Sequence, residues 1–198
     1  MNKVVLVGGT NSLHSDDWYK KPSPFSQFLL SHDILHAKDD PFEWSSDLDG
    51  FSLFPFAARK HNDWEGAGAS LSYYLESIPY TDRNIISHSH GRQVVLYCAT
   101  HNNRIRRWID VSGPIRDDLD RVTKSAEQQI AHSIHIYSNL DYMQILGSLM
   151  DGKLGYNPSC PISANIKLPH KVGHSGLLQD QRHFHYWKDL ELIKYLME

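Results

Sequence analysis

The sequence predicts an α/β fold: a mostly parallel central sheet flanked by helices on both faces, in a single domain spanning residues 1–198. Three observations carry this expectation. Short apolar β-rich runs alternate with helix-length amphipathic stretches, a pattern of crossover connections. Unusual polar clusters fall at the C-terminal ends of the predicted strands, where open α/β sheets gather their chemistry. The length, 198 residues, suits one domain with a substantial core and is short for two.

The elements follow in order. Residues 3–7 form an apolar strand closed by Gly8 and Gly9. "SPFSQFLLS" (23–31) reads as a short helix with Phe25, Phe28 and Leu29 on one face. "DILHAK" (33–38) and "PFEW" (41–44) are short strand candidates. Residues 45–60 are aromatic-rich without a period and read as a long excursion, which in a compact domain is often functional. Over 63–77, Trp64, Ala67, Leu71 and Leu75 recur at helical spacing, with Gly66 and Gly68 permitting close packing on a sheet. A strand at 84–87 leads to a helix at 93–100, and "RRWIDVSG" (106–113) is the next strand. A charged-faced helix is expected over 117–132, a strand over 133–139 and a short helix over 142–150. The last strand is "ANIKLP" (164–169), followed by an amphipathic helix over 185–197.

Composition narrows the function. The chain is 40% hydrophobic and 22% charged with a formal net charge of −3, a globular profile without the basic excess of a nucleic-acid binder. The apolar run before Gly8 is too short for a signal-peptide core, and no segment reaches membrane length, so a cytoplasmic protein without a membrane span is expected. Cys98 and Cys160 are the only cysteines; they form no CxxC pair and no scaffold framework, though a bridge between them stays open. Thirteen histidines raise a metal hypothesis, but there is no HExxH and no Cys/His ligand block, and no metal is expected.

One stretch carries the chemistry. "NIISHSHGRQVVLYCAT" (84–100) places Ser87, His88, Ser89, His90 and Gly91 where a strand gives way to a helix. A nucleophilic serine at such a junction needs a tight, strained turn with small residues two before and two after it, the G-x-S-x-G logic. Ser89 is central, Gly91 is the second small site, and Ser87 stands in for the first glycine.

These residues resemble the α/β-hydrolase superfamily, in particular its small bacterial and phage-type esterase- or lipase-like members. Their elbow typically reads A-H-S-H-G-G-Q-V-A-L-Y, beside "SHSHGRQVVLY" here. Their first strand usually ends in H-G-T with a downstream S-P-F; this chain has "VGGTN" and the SPF of Ser23, Pro24 and Phe25. His61, Trp64 and Gly68 loosely follow an H-x-x-W-x-x-G-like helix. The likeness covers most of the chain, is strongest at the elbow and first strand, and is weak over 33–60.

The resemblance implies a minimal fold without a large lid domain and an active serine followed along the chain by an acid and a histidine. Asp141, just past the strand at 133–139, stands where the family's acid belongs; the alternative is a cap on the helix that follows, and Asp110 is a rival acid. His174 lies in the glycine-rich loop after the last strand, with His170, His183 and His185 as rivals. The oxyanion donors would be the backbone N–H groups of His90 and Thr10, although Gly8 stands where the family often has histidine. "GGTN" lacks the spacing of either a dinucleotide fingerprint or a P-loop. The His88 and His90 side chains should flank the turn, one under the first-strand loop and one at the pocket mouth.

The implied activity is hydrolysis of an ester or related acyl bond through an acyl-Ser89 intermediate, on a small-molecule acyl substrate with short chains or an open site. No metal and no organic cofactor is implied. The same residues would serve a thioesterase, acyltransferase or amidase, and a non-catalytic hydrolase-like binding protein is the rival of a different class. The oligomeric state is not legible in the sequence.

Overall fold

A computed structural model describes residues 2–9, 18–20, 22–44, 61–138, 141–142, 144–145 and 159–198. Among these residues six strands form one sheet: β1 (Asn2–Val7), β2 (Ile34–His36), β3 (Asn84–His88), β4 (Ile105–Val111), β5 (Ile130–Ser138) and β6 (Ala164–Leu168). Their order is β2-β1-β3-β4-β5-β6 and every pairing is parallel. Parallel neighbours need crossovers, and the helices supply them on both faces.

The apolar side chains of the strands divide between two cores, one on each face of the sheet. Val4, Leu6, Ile86, Ile109, Val111 and Ile136 pack on one face with α1 (Pro24–Leu30), α5 (Gly176–Gln179), α6 (His185–Asp189) and α7 (Leu192–Met197). Val5, Val7, Ile85, Ile105 and Trp108 pack on the other with α2 (His61–Glu76), α3 (Gly91–Thr100) and α4 (Asp120–Glu127). Each fully buried aliphatic contributes about 1.5–3 kcal/mol. A sheet covered on both faces explains why β3 and most of β4 are buried throughout, their polar residues included.

Local chemistry sets the ends. In α1, Ser23 Oγ accepts from Ser26 N at 3.0 Å and Ser26 Oγ accepts from Ser23 N at 2.9 Å, with Pro24 in the first turn. That reciprocal box starts a seven-residue helix too short to hold by propensity alone. Gly68 faces Tyr97 and Cys98 of α3, so the close packing it permits is helix on helix and not helix on sheet.

Several expectations are corrected. Residues 41–44 form no strand; Phe42 and Trp44 are apolar because they are buried in the α2/α3-side core, and Trp44 Nε1 donates to Gly8 O at 2.8 Å. The helix expected over 117–132 shrinks to a 3₁₀ turn at Asp117–Leu119 and α4, because Ile130 already pairs with Ile105 and begins β5. The C-terminal helix breaks in two at Glu191, whose φ of 55° is left-handed. The 45–60 excursion, Thr10 and most of 142–150 lie outside the described residues. Cys98 and Cys160 are both free and buried. No helix among the described residues is long and apolar enough to cross a membrane.

Candidate active site

β3 runs straight into α3 through two residues, Ser89 and His90. Ser89 has φ of 53°, a left-handed conformation that a serine adopts only under constraint. Its N–H donates to Val111 O at 3.0 Å, so the end of β4 holds the turn from one side. From the other side comes the end of β1: a Cβ on Gly91 would sit 2.6 Å from both Val7 O and Gly8 O. Only glycine allows that approach, which is the physical content of the second small position. A Cβ on Gly9 would meet Ser89 Cβ at 2.9 Å, so the loop leaving β1 passes directly against the serine side chain.

His174 lies in the loop after β6, beyond a 3₁₀ turn at His170–Val172 and next to Gly173, whose φ is 65°. Its Nδ1 is 2.7 Å from Asp141 Oδ2. Asp141 is wholly buried, while the His174 side chain keeps 16% exposure. The other Asp141 oxygen, Oδ1, accepts from Gln144 N at 3.1 Å. The two readings of Asp141, partner of a histidine and cap of a helix start, therefore hold together on separate oxygens. Of the rival histidines, His183 lies 3.7 Å from Asp180 and His185 lies 3.9 Å from Asp189, both apart from Asp141.

His88 joins this loop to the turn. Its ring centroid is 4.7 Å from that of His174, and its Nε2 lies 3.2 Å from His174 O. The carbonyl accepts, so Nε2 carries the hydrogen. Burial first, and then the neighbouring His174, push the His88 imidazole down to about 3, which keeps it neutral. Trp18 meets it edge-on at 6.1 Å. His90 takes the opposite side and stacks on Trp64 at 5.5 Å, with the Arg116 guanidinium over the Trp64 ring at 5.3 Å. The two side chains do flank the turn, but both are buried, so neither is a pocket-mouth residue in the sense expected. The His90 backbone caps α3, where the first helical N–H groups have no carbonyl of their own helix to meet.

Asp110, the rival acid, is occupied elsewhere. Its Oδ2 takes Arg92 Nη1 at 2.7 Å and His135 Nδ1 at 2.8 Å, and its Oδ1 takes Ser87 Oγ at 3.1 Å. Burial pushes its carboxyl up, but the Arg92 charge and the His135 contact outweigh this and hold it below the usual range. Arg92 was not singled out from the sequence. A signal existed: an arginine one position into an apolar helix needs a buried carboxylate, and Asp110 stands between Ile109 and Val111 in a predicted strand.

Among the described residues no group of three or more His, Cys, Asp or Glu side chains could hold a metal ion. No protein-family model matches the chain, and no curated protein matches it. Solved structures do match in shape. A CIB-like hydrolase from Thermoplasma acidophilum superposes over 98% of this chain and 86% of its own, with a TM-score of 0.55 and 12% identity. An esterase domain from a Rhodothermus marinus protein covers 98% and 85%, with a TM-score of 0.52 and 13% identity. A Pyrococcus furiosus esterase covers 100% and 82%, with a TM-score of 0.50 and 13% identity. What this chain has in common with them is the α/β-hydrolase fold.

Proposed function

We propose that the chain is a serine hydrolase cleaving an ester or related acyl bond, with Ser89 as nucleophile, His174 as base and Asp141 as the acid that orients the base. The observation that carries this reading is the 2.7 Å contact between His174 Nδ1 and a buried Asp141 oxygen, in a loop packed on His88, the residue before the strained Ser89. With Nδ1–H donating to the carboxylate, His174 Nε2 keeps its lone pair for a proton.

In the acylation step the Ser89 Oγ–H proton passes to His174 Nε2 as Oγ bonds to the acyl carbon. The carbonyl oxygen becomes an oxyanion held by backbone N–H groups, of His90 and, by the family resemblance, of Thr10. Collapse breaks the bond to the leaving oxygen, which takes the proton from His174. Water then gives a proton to the same nitrogen, attacks the acyl carbon, and releases the acid while Ser89 regains its hydrogen. Asp141 stabilises the imidazolium in both halves. The substrate is a small acyl compound, and the cycle balances with no cofactor.

A fluorophosphonate probe tests this directly. It should label Ser89 in the wild-type chain and leave Ser89→Ala unmodified, and Ser89→Ala should lose roughly 10⁴- to 10⁶-fold in kcat on p-nitrophenyl esters. An unlabelled wild-type chain points to a binding protein on the same fold. A panel of esters, thioesters and amides of rising chain length then assigns the acyl donor.

A further inference from the structure

The strained turn has a second set of supports that takes no part in the proton transfers. Ser87 lies two residues before Ser89, on the strand limb, and Arg92 lies three after it, on the helix limb. Both donate to the same buried carboxylate on the adjacent strand: Ser87 Oγ to Asp110 Oδ1 at 3.1 Å, and Arg92 Nη1 to Asp110 Oδ2 at 2.7 Å.

The cluster is buried and densely hydrogen-bonded. Ser87 and Asp110 are wholly buried, and Arg92 is 1% exposed. The Ser87 hydroxyl also accepts from Trp108 Nε1 at 2.8 Å, so it is used once as donor and once as acceptor. Arg92 sends its other nitrogen to Cys160 Sγ at 3.1 Å and lies over the Trp108 ring at 5.1 Å. His135 Nδ1 adds a third hydrogen bond to the carboxylate at 2.8 Å. In such a medium these bonds are strong, and leaving any member without its partner is costly.

Resting on the reading of Ser89 as nucleophile, we infer that Asp110 staples the nucleophile turn, holding its strand limb through Ser87 and its helix limb through Arg92. Ser87, Asp110 and Arg92 are thus positioning residues for Ser89. A left-handed serine persists only where its surroundings over-determine it, and a bridge across the turn does this. The staple also accounts for the departure from G-x-S-x-G. A glycine at 87 would strip both Asp110 Oδ1 and Trp108 Nε1 of their partner, so the serine is required by the network and not merely tolerated for its size.

The test uses the full chain with Ser87→Gly and Ser87→Ala, and Leu196→Ala as a control. Leu196 is buried in the core on the opposite face of the sheet from α3 and lowers stability without touching the cluster. Each protein is assayed well below its own melting temperature for the fluorophosphonate labelling rate of Ser89 and for kcat and KM on a p-nitrophenyl ester. Both Ser87 variants should label roughly 10- to 100-fold more slowly, with the loss in kcat and KM within about twofold, because a turn displaced by a fraction of an ångström misaims the hydroxyl. Leu196→Ala should label at the wild-type rate. A Ser87 variant that labels and turns over like wild type, whatever its melting temperature, overturns the staple. Equal slowing in Leu196→Ala overturns it too, by showing general loosening. A wild-type chain that the probe does not label removes the Ser89 reading itself, and the staple with it.

Discussion

Among the described residues, two aspartate–histidine pairs within hydrogen-bond distance are built alike and placed differently. In both, a histidine Nδ1 meets an aspartate Oδ2, at 2.7 Å for His174 and Asp141 and at 2.8 Å for His135 and Asp110. Asp110 and His135 are register partners on neighbouring strands inside the sheet, both wholly buried. Asp141 and His174 lie past the ends of β5 and β6, and the histidine reaches the surface. The inner carboxylate also has the Arg92 guanidinium on the same oxygen, whereas the outer one takes, among the described residues, the Gln144 backbone N–H on its second oxygen. The comparison separates geometry from chemistry. An aspartate whose charge is already cancelled by arginine has little left with which to stabilise an imidazolium, and a histidine sealed in a sheet can receive no substrate proton. A short Asp–His contact marks a catalytic candidate only where the second nitrogen is accessible and the carboxylate is not otherwise neutralised.

The largest contrast should appear between the histidines. His174→Ala is expected to lower kcat by roughly 10⁴- to 10⁶-fold, while His135→Phe, which keeps the ring volume, stays within about tenfold of wild type. Ester kinetics on folded protein decide this; a live His174→Ala beside a dead, folded His135→Phe would reverse the assignment of the two pairs. The aspartates should split activity from stability. Asp141→Asn should cost about 10³- to 10⁴-fold in kcat with about 1 kcal/mol or less of stability, since Asn still caps the helix start. Asp110→Asn should do the opposite, costing about 3–5 kcal/mol in urea unfolding because Arg92 is left uncompensated. Its loss of kcat should be smaller than that of Asp141→Asn by about two orders of magnitude.

The smallest effect is an acid limb on stability. His88 is held neutral in the folded chain down to about pH 3, against an ordinary value of 6.5. Between those values the unfolded chain binds more protons than the folded one. The His88 contribution is therefore complete above 6.5 and is lost progressively as pH falls toward 3, with a slope of up to about 1.4 kcal/mol per pH unit. The groups facing the ring are His174 and, at longer range, Asp110. Asp110 itself is held below its ordinary 3.8, so its own contribution is intact above that value and fades only further into acid. Urea unfolding at pH 7, 5.5 and 4.5 should show a shallower fall for His88→Phe than for wild type. Parallel curves would mean that His88 is not the buried neutral group described.

Much of the fold was legible because its signals are local. Strands β1, β3, β4 and β5 announce themselves as β-rich segments closed by Gly, Ser or Asn, β6 as one closed by Pro169, and the edge strand β2 falls within the candidate at 33–38. The boundaries that failed did so where a neighbour overrode local preference. Ile130 joins β5 because Ile105 offers it a ladder, although the sequence around it continues a helical pattern. "PFEW" has strand-like side chains, yet Trp44 spends its N–H on Gly8 O, and the segment packs as coil.

The same division runs through the candidate site. The small-residue turn at a strand end brought forward Ser89, and the family resemblance with its chain order brought forward Asp141 past a strand and His174 in a glycine-rich loop, each readable within a few residues. Which carboxylate meets which imidazole was decided only by the sheet. Asp110 is nearer to Ser89 in sequence, but the β3-β4-β5 register turns it toward Ser87, Arg92 and His135. Asp141 reaches His174 across 33 residues because β5 and β6 end side by side. Sequence fixes what each residue can donate or accept; the pairing of distant donors and acceptors is a property of packing, and a linear string holds no distances.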